Sequence, residues 1–234
     1  MQRRDFLKTA AASALALAAP SIASAAAAKT LTFVPQADLA VLDPVWATAY
    51  VTRNHALLVF DTLFGLDEQY RPQPQMVDGY TVENNGKLWT LTLREGLKFH
   101  DNTPVLSRDA VASVRRWASR DAFGASLLAA TDELSAPSDR VIQFRLKKPF
   151  PALPLAMGKG SNTMLPVMPE RLASTPGTQQ VTEMTGSGPY RFLADERVPG
   201  SRAAYRRFEG YVPRPGGVSS FLAGPKIANI ERIE

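Results

Sequence analysis

The sequence predicts a mixed α/β (α+β) protein with antiparallel hairpins, and three observations carry that prediction. In "YTVENNGKLWTLTLR" two alternating runs flank Asn85-Gly86, a pair that favours the positive φ angles of a tight hairpin turn. Between Ser107 and about Arg120, Val111, Val114, Trp117 and Ala118 recur at the spacing of one helix face. In "SDRVIQFRLKKPF", Ile142, Phe144 and Leu146 alternate with polar residues, the pattern of a half-buried strand.

Taken in order, "KTLTFVP" (29–35) reads as a first strand with Leu31 and Phe33 on one side. "VTRNHALLVFDTLFG" reads as a helix capped by Thr52, with Ala56, Val59, Phe60 and Leu63 on one face and Gly65 as its stop. His55 falls in its first turns as a packed or surface helix residue. In the hairpin, Trp89, Leu91 and Leu93 point one way and Leu88, Thr90, Thr92 and Arg94 the other. "EGLKFHDNTP" follows as turn, short strand and turn. Phe99 is expected to bury its ring, Asn102 to accept a left-handed conformation and His100 to hydrogen-bond within the turn. Ser107 is the expected N-cap of the next helix, with Asp109 in its first turn opposing the dipole. "SGPYRFLADERVPGSRAAYRRF" reads as two strands and a turn, and "KIANIERIE" as strand-like. Long Gly/Pro-containing loops are expected at 149–169 and 174–189.

Composition narrows the function classes. Apolar residues make up 45% and charged residues 21% of 234, an ordinary globular balance with room for one or two domains. The net charge is +5, but setting aside Arg3, Arg4, Lys8 and Asp5 leaves 24 basic and 21 acidic residues. The basic doublets Arg115-Arg116, Lys147-Lys148 and Arg206-Arg207 are scattered, so no nucleic-acid partner is expected. There is no cysteine and there are only two histidines, without metal-ligand spacing; no metal and no cofactor are expected. No GxSxG occurs, and His100-Asp101 adjacency is not a catalytic dyad, because neighbouring strand residues face opposite ways. A secreted hydrolase is therefore the weaker alternative. "GKGS" at 158–161 does not match a phosphate loop.

The first 28 residues read as an address. Arg3-Arg4 form a basic head, Thr9 to Ala19 a mild apolar stretch, and Ala23-Ser24-Ala25 a small-residue cleavage pattern. Arg3-Arg4 followed by Phe6-Leu7-Lys8 resembles the twin-arginine motif, with Gln2 as a departure. Alanine richness and Pro20 argue against a spanning helix, and no cysteine stands at the cleavage site to carry a lipid. Export, cleavage between Ala25 and Ala28, and a soluble, non-lipidated periplasmic product are expected.

Several landmarks then occur in one order: "LDP" (42–44), "VFDTLFG" (59–65), "LWTLTLREGLKFHDNTP" (88–104), "SRDAV" (107–111), "LKKPFP" (146–151), "MLPVMPE" (164–170) and "GSGPYRF" (186–192). Together they resemble the family 5 solute-binding proteins of ABC importers, which include dipeptide, oligopeptide, glutathione and nickel binders. The departures are Asp61 for the usual Glu, Asn102 for Gly and Ser187 for Thr. The resemblance implies a periplasmic binding protein-like fold of type II, cluster C-like. In it, residues 29–45 and 186–234 belong to the main sheet of the first lobe, and 46–185 to the extra subdomain. The second lobe is missing, so the chain is expected to be a fragment or the product of a truncated gene.

The same resemblance implies capture without chemistry: a small solute, di- or oligopeptide among the options, enters a cleft, the lobes close, and the closed form docks on ABC permease subunits in the inner membrane. A monomer is expected. A sensor or chaperone role on the same fold is the other alternative. Ligand contacts are expected at Trp46, Thr48, Ala49 and Tyr50, after "LDP", where Trp and Tyr can stack and hydrogen-bond; the alternative is that Trp46 and Tyr50 pack beneath the helix. Gly186, Ser187 and Gly188 are candidate contacts through unusual φ angles that let backbone approach a ligand; the alternative, and the favoured reading of the glycines, is that they only permit the chain to re-enter the first lobe. Asn162 and Thr163 complete the set.

Overall fold

The computed structural model describes residues 29–160 and 163–234; the expected export signal and Asn162 lie outside them. The elements in chain order are β1 (Thr30–Leu31), α1 (Tyr50–Val59), β2 (Phe64–Leu66), β3 (Pro72–Pro74), β4 (Val77–Glu83) and β5 (Leu88–Leu93). After them come α2 (Ser107–Ala118), α3 (Ala122–Ala130), β6 (Thr131–Ser138), β7 (Val141–Leu146), α4 (Leu153–Gly158) and α5 (Glu170–Ala173). The chain closes with β8 (Tyr190–Phe192), β9 (Tyr205–Arg207) and β10 (Arg232–Ile233).

The larger sheet has the order β4-β5-β7-β6, all antiparallel. Its first turn is the expected one: Asn84, Asn85 and Gly86 all take positive φ, at 52°, 56° and 82°. Alternation in β5 and β7 aims Trp89, Leu91, Leu93, Ile142, Phe144 and Leu146 at one face, and all six are buried. The apolar stripe of α2 covers that face with Val114 and Trp117 in the same cluster. Trp117 is fully buried, and its indole N–H donates to the Thr163 carbonyl at 3.1 Å, so its one polar atom is satisfied.

A smaller sheet has the order β1-β10-β9-β8, with β1 and β10 parallel. A second apolar cluster lies beside it, built from Ala56, Val59 and Phe60 of the α1 region, Met164, Met168 and Leu172, and Tyr190, Phe192 and Tyr205.

Asp43, the centre of "LDP", ties the two parts together. Its carboxylate accepts both Arg116 Nη1 at 3.1 Å and Nη2 at 2.7 Å, and also the backbone N–H groups of Val45 and Val181. Arg116 Nε and Nη2 also donate to the carbonyls of Thr175 and Gln179. The two side chains are 0% and 1% exposed. Losing one partner of such a pair strands a buried charge, which costs about 3–5 kcal/mol.

Several expectations are corrected. The first helix ends at Val59, so Leu63 is not on its face and Gly65 is not its stop. The chain leaves the helix because tertiary partners take its backbone: Gly188 N–H donates to Val59 O at 2.8 Å, and Asp61 N–H donates to Ser187 Oγ at 3.1 Å. Thr52 lies inside that helix and donates its hydroxyl to Val41 O at 2.7 Å. Ser107 is the first helical residue rather than the cap, and its hydroxyl donates to Ser138 O. The expected first strand is only two residues long, and Phe33 and Val34 beyond it are exposed. The 149–169 loop contains α4.

Candidate functional site

The two ends of α1 carry the residues the sequence singles out. Its C-terminal end meets the crossing Gly186–Gly188. A Cβ on Gly186 would lie 1.9 Å from Val59 O, and one on Gly188 2.6 Å from Leu58 O. Neither glycine has a positive φ, so the reason for glycine here is close approach to the helix end, not an unusual backbone angle. Ser187 is buried; its hydroxyl donates to Val167 O at 2.8 Å and accepts from Asp61 N–H.

His100 holds the same crossing. Gly186 N–H donates to Nδ1 at 3.2 Å, which leaves Nε2 to carry the proton and donate to Gly188 O at 3.0 Å. The His100 backbone N–H also donates to Gly186 O at 2.9 Å. Burial, reinforced by the charge of Arg191, lowers the imidazole pKa to about 4, against the opposing pull of the Gly188 carbonyl and Asp101. Both ring nitrogens are therefore committed and the ring is neutral. Asp101 is spent on Thr103, accepting from its N–H at 3.0 Å and its hydroxyl at 2.6 Å. Phe99 is buried and Asn102 takes φ 68°, as the sequence implies.

Thr163 is buried as well. Its hydroxyl donates to Asp121 at 2.6 Å, and Asp121 caps α3 by accepting from Phe123 and Gly124 N–H. Burial raises the Asp121 pKa, but hydrogen bonds from Lys159, Thr163 and Gly124 outweigh it and hold the carboxyl below its ordinary value. Thr163, Gly186, Ser187 and Gly188 thus serve the interior of the fold.

The N-terminal end of α1 is different. Trp46 is half-buried beneath Arg120, whose guanidinium carbon lies 5.1 Å from the ring centroid. Thr48 and Ala49 are exposed, and Tyr50 is 63% exposed. Ala49, the N-cap residue, offers no side-chain cap, and the first turn has no acidic residue. Arg53, one turn on, places its guanidinium 4.5 Å from the Tyr50 ring centroid and donates from Nη1 to Gly160 O at 2.9 Å. Of the four residues expected here, Thr48, Ala49 and Tyr50 are thus exposed, and Trp46 is half-buried.

A cavity of about 520 Å³ opens on another face of α1, between Val51, Asn54, His55 and Leu58, residues 32–39 and the 197–203 segment. None of the described residues expected at the ligand lines it. Several of its polar groups already have partners. His55 Nδ1 is 2.9 Å from Tyr205 Oη and Nε2 3.3 Å from Met184 Sδ, and burial followed by the Arg197 charge lowers its pKa to about 3. Asp38 accepts from Gly200 N–H, and Arg197 donates to Leu39 O. Among the described residues no cluster of three or more His, Asp or Glu could hold a metal, and no helix is long and apolar enough to cross a membrane.

The profile of the bacterial extracellular solute-binding proteins, family 5 (middle part), matches residues 71–234. The chain belongs to family 5. A relative in Sinorhizobium fredii, named a probable peptide ABC transporter periplasmic-binding protein, is 40% identical over 240 residues, covering 100% of this chain and 44% of its own length. The glutathione-binding protein of Salmonella typhi is 29% identical over 180 residues, covering 74% of this chain and 34% of its own. The chain therefore spans less than half the length of these family 5 relatives. Two solved structures share the fold. MoaA of A. tumefaciens, in complex with mannopinic acid, superposes with a TM-score of 0.68 at 18% identity, covering 88% of this chain and 40% of its own. OppA of Haemophilus influenzae, in complex with a nonapeptide, gives 0.62 at 17% identity, covering 79% and 39%. The mixed α/β class and the periplasmic binding protein-like fold are thus established.

Proposed function

We propose that this chain is the first-lobe part of an exported solute-binding protein. In this reading it captures a peptide-like solute in the periplasm and hands it to an ABC permease without chemical change. The observation that carries the reading is 40% identity along the whole chain to a protein named for peptide ABC transport. Residues 29–45 and 186–234 form the main-sheet part of the lobe. Support comes from the β1-β10-β9-β8 sheet, whose strands all come from those two segments. Residues 46–185 form the extra subdomain, and 1–28 act as the export signal.

Solute contacts fall on Trp46, Thr48, Ala49 and Tyr50. An exposed tyrosine beside an uncapped helix start offers a ring face, a hydroxyl and backbone N–H groups to a peptide. The hydrolase alternative lacks support at His100, whose ring nitrogens both have backbone partners. Tight capture needs contacts from two lobes closing on the solute, so the 234-residue chain alone binds weakly. Calorimetric titration with di- and oligopeptides is expected to give Kd values weaker than about 100 μM. Submicromolar binding would overturn the need for a second lobe. Deleting the gene in its host is expected to abolish uptake of at least one peptide class, and unchanged peptide uptake would overturn the transport reading.

A further inference from the structure

We propose that Arg53 recognises a carboxylate of the solute, which makes the N-terminal end of α1 selective for anionic peptides and related acids; this rests on the solute-binding reading above. Arg53 is held in place but not neutralised. Its guanidinium lies over the Tyr50 ring and is fixed through Nη1 to the Gly160 carbonyl. Among the described residues no carboxylate lies within 4 Å of it, whereas Arg71, Arg116, Arg145, Arg171 and Arg232 each have one. Nε has no acceptor, and Arg53 is the one described arginine with a buried nitrogen in that state.

Several other arginines without an acidic partner are satisfied by carbonyls: Arg94, for example, donates to Gln75, Val212 and Pro213. At Arg53 neither Nε nor Nη2 has an acceptor among the described residues; Nε is buried, so the solute carboxylate is placed at the Nη2 end of the guanidinium. The adjoining helix start adds to the same preference. It carries the positive end of the helix dipole, has no side-chain cap and no acidic residue in its first turn. A single guanidinium, pre-positioned by an aromatic ring and a carbonyl, suits a monoanion such as a peptide carboxylate.

The test is a two-dimensional NMR titration of the 234-residue chain with alanyl-alanine, alanyl-alaninamide and glutamyl-alaninamide at millimolar concentrations. Alanyl-alanine and glutamyl-alaninamide bear a terminal and a side-chain carboxylate respectively; alanyl-alaninamide has none. At least one carboxylate-bearing probe is expected to shift the Tyr50 amide and the Arg53 Nε–H signals, and alanyl-alaninamide to bind at least about tenfold more weakly. Which of the two acids binds identifies the source of the carboxylate. Arg53→Gln is expected to remove the discrimination while leaving the remaining spectrum in place, and Arg53→Lys to restore part of it. Equal response to acid and amide at Tyr50, or an unchanged preference in Arg53→Gln, overturns the assignment while leaving peptide binding at this surface standing. Absence of any shift at Tyr50 with all three probes overturns both this assignment and the placement of the solute surface.

Discussion

The two ends of α1 answer the same problem in opposite ways. Every helix end leaves backbone groups without partners. At the C-terminal end the crossing 186–188 and His100 close in on them, and glycine is required because another chain lies against it. At the N-terminal end nothing caps the helix, Tyr50 stands in solvent, and Arg53 is poised without an acidic partner. The same helix is thus anchored at one end and open at the other. Buried, saturated groups mark the anchor; an exposed aromatic residue and an uncapped helix start mark the end proposed for the solute.

The largest expected effect comes from breaking the anchored end. Gly186→Ala puts a methyl group against the Val59 carbonyl and is expected to cost about 3 kcal/mol, at the upper end for overpacking. Urea denaturation followed by far-UV circular dichroism measures it, and a loss below about 0.5 kcal/mol would show that the crossing is loosely packed.

Acid should weaken the same end next. His100 has a pKa of about 4 in the fold against 6.5 when unfolded, so it is neutral in the fold and takes up its proton on unfolding. Its stabilisation is complete above pH 6.5 and is lost as pH falls through about 4, by about 3 kcal/mol over that window. His55, at about 3, adds to the loss over the same window and extends it to lower pH. Denaturation midpoints at pH 7.5, 5.5 and 4.5 should fall in that order, and His100→Gln should flatten the trend; a wild-type slope kept intact in the variant would remove His100 as its cause.

At the open end the effect on stability is the smallest. Tyr50→Ala should change it by no more than about 0.5 kcal/mol, as at exposed positions generally, while weakening peptide binding. A large destabilisation would make Tyr50 a packing residue and erase the contrast.

The sequence was readable where local pattern and tertiary role agree. The β4–β5 hairpin was legible in its turn and in the buried face of β5, since alternation and Asn85-Gly86 specify them; the start of β4 at Val77 and the register shift before Gly79 were not. It was silent at α3, whose "AFGASLLAA" has no polar face to mark a helical period. It was silent also at β6, where "TDELSAPS" contains Pro137 and few residues typical of strands. At the site, Trp46 and Tyr50 were legible as aromatics after a turn. Arg53 was not, because the carbonyl that positions it is 107 residues away. Gly186 and Gly188 were recognised as special, but the approach of α1 that makes them so is long-range and leaves no local mark.

The knot at Asp43 has a consequence for how the chain is made. Its carboxylate accepts from Val181 N–H, a partner 138 residues later. At synthesis rates of about 5–20 residues per second, that partner follows Asp43 from the ribosome by roughly 7–28 seconds. Until then the "LDP" turn lacks its last backbone partner, and the link it makes between the two parts of the fold stays incomplete.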